Sequence, residues 1–240
     1  MRNTKITVIT NLLLVFIVFS VLAVGIYSER SVTISSSSGN GVIYRGTPSS
    51  NGVALMFNVY ENTSVVQDII SVLKSHGVTA TFFVGGCWAD DNDKTLKDIV
   101  NSGFEIGNHG YFHKDHKKLS YEKNREEILN CHSVVLRSTG YDMKLFAPPS
   151  GAYSKTTVEV ASELNYKTIM WSKDTIDWRD SDIQTILKRA TKGVSSGDLI
   201  LMHPKPHTLE ALPLIIQKIK EQNLKFLTVS ECASLTPIKV

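Results

Sequence analysis

Two histidines four residues apart, His109 and His113, stand in the segment Glu-Ile-Gly-Asn-His-Gly-Tyr-Phe-His-Lys-Asp-His over residues 105–116. Imidazole is a good ligand for borderline divalent metals. A pair at this spacing faces one ion if the backbone makes one helical turn or a wide loop. The competing reading is a solvated loop, which Lys114 and His116 suit, because a short motif is only as good as its structural context.

Apolar runs alternating with helix-period segments supply that context. Strands are expected at 53–59, 79–84, 104–108, 145–147, 168–171, 199–202 and 226–229. Between them, Val66, Ile69, Ile70 and Leu73 mark a first helix and Leu96, Ile99 and Val100 a second. A long amphipathic helix over 121–138 turns Ile128, Cys131, His132 and Val135 to one side, with Gly140 just past its end. Helices follow at 157–164, 183–191 and 209–222, the last started or kinked by Pro213. Strands alternating with helices imply parallel βα units, and seven of them imply a closed or nearly closed barrel. In such folds the site is built from loops at the carboxyl ends of strands. The unusual residues fall there: Asn58, then His109 with His113, then 148–153, then Asp174, Asp177 and Trp178, then His203.

A chain of 240 residues, 42% hydrophobic and 20% charged, suits one α/β domain. A net charge of +3 with dispersed Lys and Arg makes no case for nucleic acid. The N-terminus departs from this average. Ile6 to Tyr27 is an apolar run of 22 residues preceded by Arg2 and Lys5, long enough to cross a bilayer with Met1 in the cytoplasm. A cleaved signal peptide is the competing reading. Either way the remainder lies beyond the membrane. Residues 1–27 are thus expected to be an anchor, 28–51 a Ser/Gly-rich tether, and 52–240 the folded domain. Cys87, Cys131 and Cys232 are too few for a disulfide scaffold and lack zinc-ligand spacing; the helical spacing around Cys131 fits a small buried residue.

Taken together, these motifs resemble the polysaccharide deacetylases, the carbohydrate esterase family 4 type that shares the chitooligosaccharide deacetylase homology domain. The resemblance spans about residues 53–235 and implies an incomplete (β/α)7 barrel. His109-Gly110-Tyr111-Phe112-His113 is similar to the family's metal motif, and Pro148-Pro149-Ser150-Gly151-Ala152-Tyr153 to its groove motif. The segment from Trp171 to Trp178 resembles the Asp and Trp motif, and Leu201-Met202-His203 the Leu-x-His motif. The resemblance implies a divalent metal, usually zinc, on His109 and His113, with His203 as general acid and Asp174 as its partner. It also implies a groove walled by Pro149, Gly151, Tyr153, Asp177 and Trp178. The implied reaction is de-N-acetylation of peptidoglycan or a related N-acetylated cell-wall glycan, by a protein anchored in the membrane through its N-terminal helix.

The first family motif carries two aspartates, one base and one metal ligand. Here Asn58 holds the base position and Val59 the ligand position, and neither can do that work. Ala147 stands where the family has the arginine that holds the base, a consistent loss, since that cation has no carboxylate left to pair with. The segment 57–62 is similar to variants in spore-cortex deacetylases of Gram-positive spore formers. Glu61 reads as an exposed residue near the first helix, where a negative charge is favourable; replacement of the lost carboxylate is the alternative. Two functions follow: a de-N-acetylase with an impaired metal site, or a catalytically silent glycan-binding protein of the cell wall or spore.

Overall fold

The computed structural model describes residues 41–235. β2 (Gly52–Val59) is its central strand and is buried on both faces, as its unbroken apolar run requires of a parallel strand. Its alternate residues serve two cores. Val53, Leu55, Phe57 and Val59 pack under the helices, while Ala54 and Met56 point inside the curled sheet with Phe83, Leu145, Leu199 and Leu201. Each of the Val, Leu, Phe and Met side chains contributes about 1.5–3 kcal/mol when fully buried.

The helices lie where the periodicity places them. α1 (Thr63–Ser75) buries Val66, Ile69, Ile70 and Leu73. β3 (Thr81–Val84) is followed by α2 (Gly86–Asp91) and α3 (Asp93–Asn101), then β4 (Glu105–Asn108) and the long α4 (Tyr121–Thr139). α4 starts at a Ser120 side chain that accepts from Lys123 N and stops at Gly140 in the left-handed conformation. β5 (Leu145–Phe146), α5 (Lys155–Glu163), β6 (Lys167–Ile169), β7 (Lys173–Asp174), α6 (Ile183–Thr191) and β8 (Leu199–Met202) continue the alternation. In α7 (Pro206–Lys220), Pro206 holds the first turn and Pro213 sits inside, so the helix begins three residues before the expected 209 and Pro213 does not start it. β9 (Lys225–Leu227) and α8 (Val229–Cys232) complete it.

All ladders are parallel, and the strands form a half-barrel in the order β6-β5-β4-β3-β2-β8-β7, with β9 beside the start of β2. Two expectations are corrected. The strand expected at 168–171 is split. Met170 N–H donates to Ile43 O, whereas Ser172 N–H donates to Leu199 O, so the chain crosses between two edges there and the barrel stays open. The tether expected through residue 51 is also too long. Val42–Ile43 form β1, pairing Thr168 and Ile169 of β6. Arg45 pairs with Asp198 at 3.3 Å, and Thr47 N–H donates to Cys232 O. The anchor expected over 1–27 lies outside the described residues. Among the described residues no helix is long and apolar enough to cross a membrane, and Cys87, Cys131 and Cys232 are unpaired thiols, Cys131 buried as its spacing implies.

Gly46 makes the inclusion of the 42–51 segment testable, because an ideal Cβ there would lie 2.2 Å from Cys232 O, a backbone atom that cannot move alone. Gly46→Ala should lower unfolding free energy by about 1–3 kcal/mol in urea titrations of the full chain. A neutral result would return the segment to the status of a tether.

Candidate active site

The His109–His113 turn is a wide loop, not a helical turn. Asn108 anchors it, donating from Nδ2 to Ile128 O at 2.8 Å and accepting Gly110 N–H at Oδ1 at 2.9 Å. Gly110 has φ 71°, and a Cβ there would sit 3.0 Å from His116 Nε2. The Glu127 carboxylate then takes the N–H groups of Tyr111 and Phe112 at 2.9 and 2.8 Å, and His113 closes the turn at φ 53°. The two imidazoles end 5.1 Å apart between ring centroids, with Tyr60 5.0 Å from His113 on the other side. His116, which suited a solvated loop in the sequence, is instead buried against Phe146 and donates from Nδ1 to Asn124 Oδ1 at 2.8 Å.

His109 is 2% exposed and its Nδ1–H donates to Ala147 O at 2.7 Å; a carbonyl can only accept, so the free lone pair is on Nε2. Burial, with His113 nearby, pulls its pKa down to about 3. Burial also lowers His113. Both rings are therefore neutral at physiological pH, the form a metal needs.

Across the cleft the partner of His203 is Asp177, which corrects the assignment of Asp174. His203 Nδ1–H donates to Asp177 Oδ1 at 2.7 Å, and the His203 backbone N–H and the Thr208 hydroxyl donate to Oδ2, both at 2.7 Å. His207 Nε2–H donates to the Asp177 carbonyl at 2.8 Å. Asp174 lines the cleft but caps its own turn, accepting from Ile176 N–H at 2.8 Å. Ile176 at φ 55° swings the chain so that the next residue, Asp177, reaches the start of α7. Burial opposes ionisation of Asp177, but the hydrogen bonds and charge of His203 and the Thr208 hydroxyl outweigh it, and the carboxyl is held below the usual range.

These walls enclose a cleft of about 560 Å³ lined by Asn58, Tyr60, Glu61, His109, His113, Trp171, Trp178 and His203 among others. Of the expected groove residues, Trp178 stands at the rim, 55% exposed, with Arg179 over its ring. Pro149 is buried behind Gly110, and Gly151, at φ 63°, lies on Trp171, while Ser150 between them lines the cleft. Tyr153 is not among the lining residues; its hydroxyl pairs with that of Tyr44. Glu61 forms an ion pair with Lys205, and Asn62 Nδ2 donates to Pro204 O at 2.9 Å, tying the loops after β2 and β8 together. Sequence reasoning missed Glu127, Tyr60, Lys205 and Thr208. The interval Asn124, Glu127, Cys131 on α4 was the available signal for Glu127.

The metal expected from the resemblance does not fit this donor set. Val59 belongs to the helix-side core, and among the described residues no three His, Cys, Asp or Glu side chains are grouped to hold an ion. Asn58 is 4% exposed, and its Oδ1 is buried with no protein donor.

The family model for polysaccharide deacetylases matches residues 45–169. The chain is 35% identical over 189 residues to the protein YlxY of Bacillus subtilis, covering 79% of this chain and 59% of that one. It is 32% identical over 182 residues to a peptidoglycan-N-acetylglucosamine deacetylase of Bacillus cereus, covering 74% and 66%. It therefore spans less than two thirds of the length of either relative. Among solved structures it is similar to a CE4 family pseudoenzyme from Bacillus anthracis, with a TM-score of 0.78, 36% identity, and coverage of 80% of this chain and 68% of that one. A mutant of that pseudoenzyme described as having restored enzymatic activity aligns equally, at 0.78.

Asp177→Asn tests the geometry of the second wall. An amide puts an N–H where the carboxylate accepted, which should lower stability at neutral pH by about 1–3 kcal/mol. The sign of the pH effect is set by the lowered pKa of Asp177. Its ionised form contributes stability above the usual carboxylate range near pH 4, and that contribution is lost as pH falls through the lowered value. Denaturant titrations of the two proteins should therefore converge in acid.

Proposed function

The chain belongs to the polysaccharide deacetylase family, as a divergent member of carbohydrate esterase family 4, and from that membership we propose that its cleft takes an N-acetylated cell-wall glycan of the peptidoglycan type. The reaction is hydrolysis of the acetamido C–N bond, with turnover held low. The supporting observation is the His203–Asp177 pair facing the two neutral imidazoles of His109 and His113. With Nδ1–H held by Asp177, His203 turns Nε2 to the cleft, where as an imidazolium it can protonate a departing amine. The opposite wall lacks its acid-base counterpart: Asn58 cannot take a proton from water. Zinc is the cofactor this reaction calls for; His109 and His113 would be its only ligands among the described residues, one short of the three protein ligands of a catalytic zinc site. The apolar run over residues 6–27 is read as a membrane anchor that leaves the domain on the outer side, facing the wall.

A second reading, a glycan-binding protein without turnover, is favoured by the missing third ligand among the described residues. One experiment separates them. The purified full-length chain is given peptidoglycan fragments and N-acetylglucosamine oligomers, with and without added zinc, and both binding and acetate are measured. The first reading expects slow acetate release that disappears in His203→Ala. It also expects a gain of about 10²-fold or more in Asn58→Asp with Val59→Asp and Ala147→Arg, the range a general base contributes. Binding with no acetate under any metal condition establishes the second reading. Neither binding nor acetate overturns both.

A further inference from the structure

Trp171 stands where the half-barrel fails to close. Met170 N–H, just before it, donates to Ile43 O of β1, and Ser172 N–H, just after it, donates to Leu199 O of β8, so Trp171 bridges the two edges. Its indole packs on the apolar inside of the sheet, with Met56, Phe83 and Leu201, and it also lines the cleft. Gly151 clamps the ring edge: a Cβ at that φ of 63° would lie 2.9 Å from Trp171 Cη2 and 3.5 Å from Cζ2. The indole is thus a supported shelf that borders the cleft. Neither the His109–His113 wall nor the His203 wall uses it.

The indole N–H is a second observation. Trp88, which is buried, donates from Nε1 to Thr63 Oγ1 at 3.1 Å. Trp171 Nε1 has no protein acceptor among the described residues, and the buried polar side-chain atoms left unpaired there are Asn58 Oδ1, His116 Nε2 and Thr168 Oγ1, so the Trp171 N–H is open to solvent. Asp174, whose Oδ1 accepts from Ile176 N–H, and Ser150 share the cleft lining with it. A pyranose ring presents an apolar face of C–H groups and a rim of hydroxyls. An immobile aromatic surface with a free donor beside it matches both, because the electron-rich ring face attracts polarised C–H groups and little conformational entropy is lost on contact. At about 560 Å³ the cleft has room for more than the one sugar whose acetamido group would face the imidazoles. We propose that Trp171 is a sugar platform, on which a second pyranose ring of the glycan stacks while Nε1–H is free to donate to one of its hydroxyls, so that the cleft selects an oligomer over a single N-acetylhexosamine. This inference rests on the glycan reading of the cleft.

The test uses the full-length chain with N-acetylglucosamine and its trimer, and the readout is the ratio of their dissociation constants by calorimetry, at a temperature where each variant is fully folded. Wild type is expected to bind the trimer about tenfold or more tighter than the monomer, a difference of about 1.4 kcal/mol. Trp171→Phe keeps a ring and should keep most of that ratio. Trp171→Leu still fills the seat on the inner apolar layer but offers no ring, and its ratio should fall to about twofold or less. A Leu variant that keeps the full ratio shows Trp171 to be a plug for the gap in the barrel, and overturns the proposal while leaving the glycan reading in place. Fluorescence gives a readout that does not depend on the Leu variant folding. The chain has three tryptophans, and Trp88 is buried, so in Trp178→Phe the only indole lining the cleft is Trp171. Saturation with trimer should quench or shift its emission, and saturation with monomer should do so less. Emission that bound trimer leaves unchanged overturns the proposal as well. Wild type that binds neither sugar overturns the glycan reading and this proposal with it.

Discussion

A carboxylate with no exposed side-chain surface, Asp177, holds together one whole wall of the cleft. Ionised burial of this kind is expensive unless donors take up the charge, and here the His203 ring, the His203 backbone and the Thr208 hydroxyl do so. The consequence is geometric. The loop after β7, the end of β8 and the first turn of α7 are all fixed to one side chain, and His203 has a single tautomer and a single direction in which to present its free nitrogen.

The opposite wall keeps its carboxylate outside the cleft. His109 is aimed by a backbone carbonyl, that of Ala147, and the loop to His113 is shaped by Glu127 from outside the cleft. The wall keeps its form through the Ala147 carbonyl and the Asn108 and Glu127 side chains, so the loss of acidic residues at 58 and 59 does not collapse it. Val59 joins the apolar layer beneath the helices, where an isopropyl group is the better occupant. The cleft thus retains a proton-donating side, while on the side that would accept a proton from water positions 58 and 59 carry no carboxylate and Glu61 is paired with Lys205. That asymmetry matches a chain whose solved neighbours include a pseudoenzyme of the same family.

Much of this was legible in the sequence, because period-2 and period-3.6 patterns report which faces are buried, and a parallel α/β fold then dictates which ends carry the chemistry. His109, His113, Asn58, Trp178 and His203 all line one cleft, whereas Asp177, expected as a groove wall, is buried behind His203. What was not legible depended on single backbone angles or on distant partners. Asp174 and Asp177 are equally good candidates until Ile176 turns left-handed. Tyr153 leaves the lining to meet Tyr44, a residue hidden in what composition marked as tether. β1 itself is only two residues long, too short for any periodicity, and exists because β6 leaves an edge for it.

The attachment of that strand also constrains the order in which the molecule can be made. Thr47 touches Ser234 across 187 positions of sequence, and the bond from Thr47 N–H to Cys232 O spans nearly as many. Contacts so remote in the chain cannot form until the last helix has been synthesised, and their loop-closure entropy slows folding. The apolar inside of the half-barrel, which Ile43 shares with Cys232 and Ala233, therefore stays incomplete on a growing chain. A truncation of a few residues at α8 would remove the lock at the far end of the sequence and leave the whole domain open to proteolysis and aggregation.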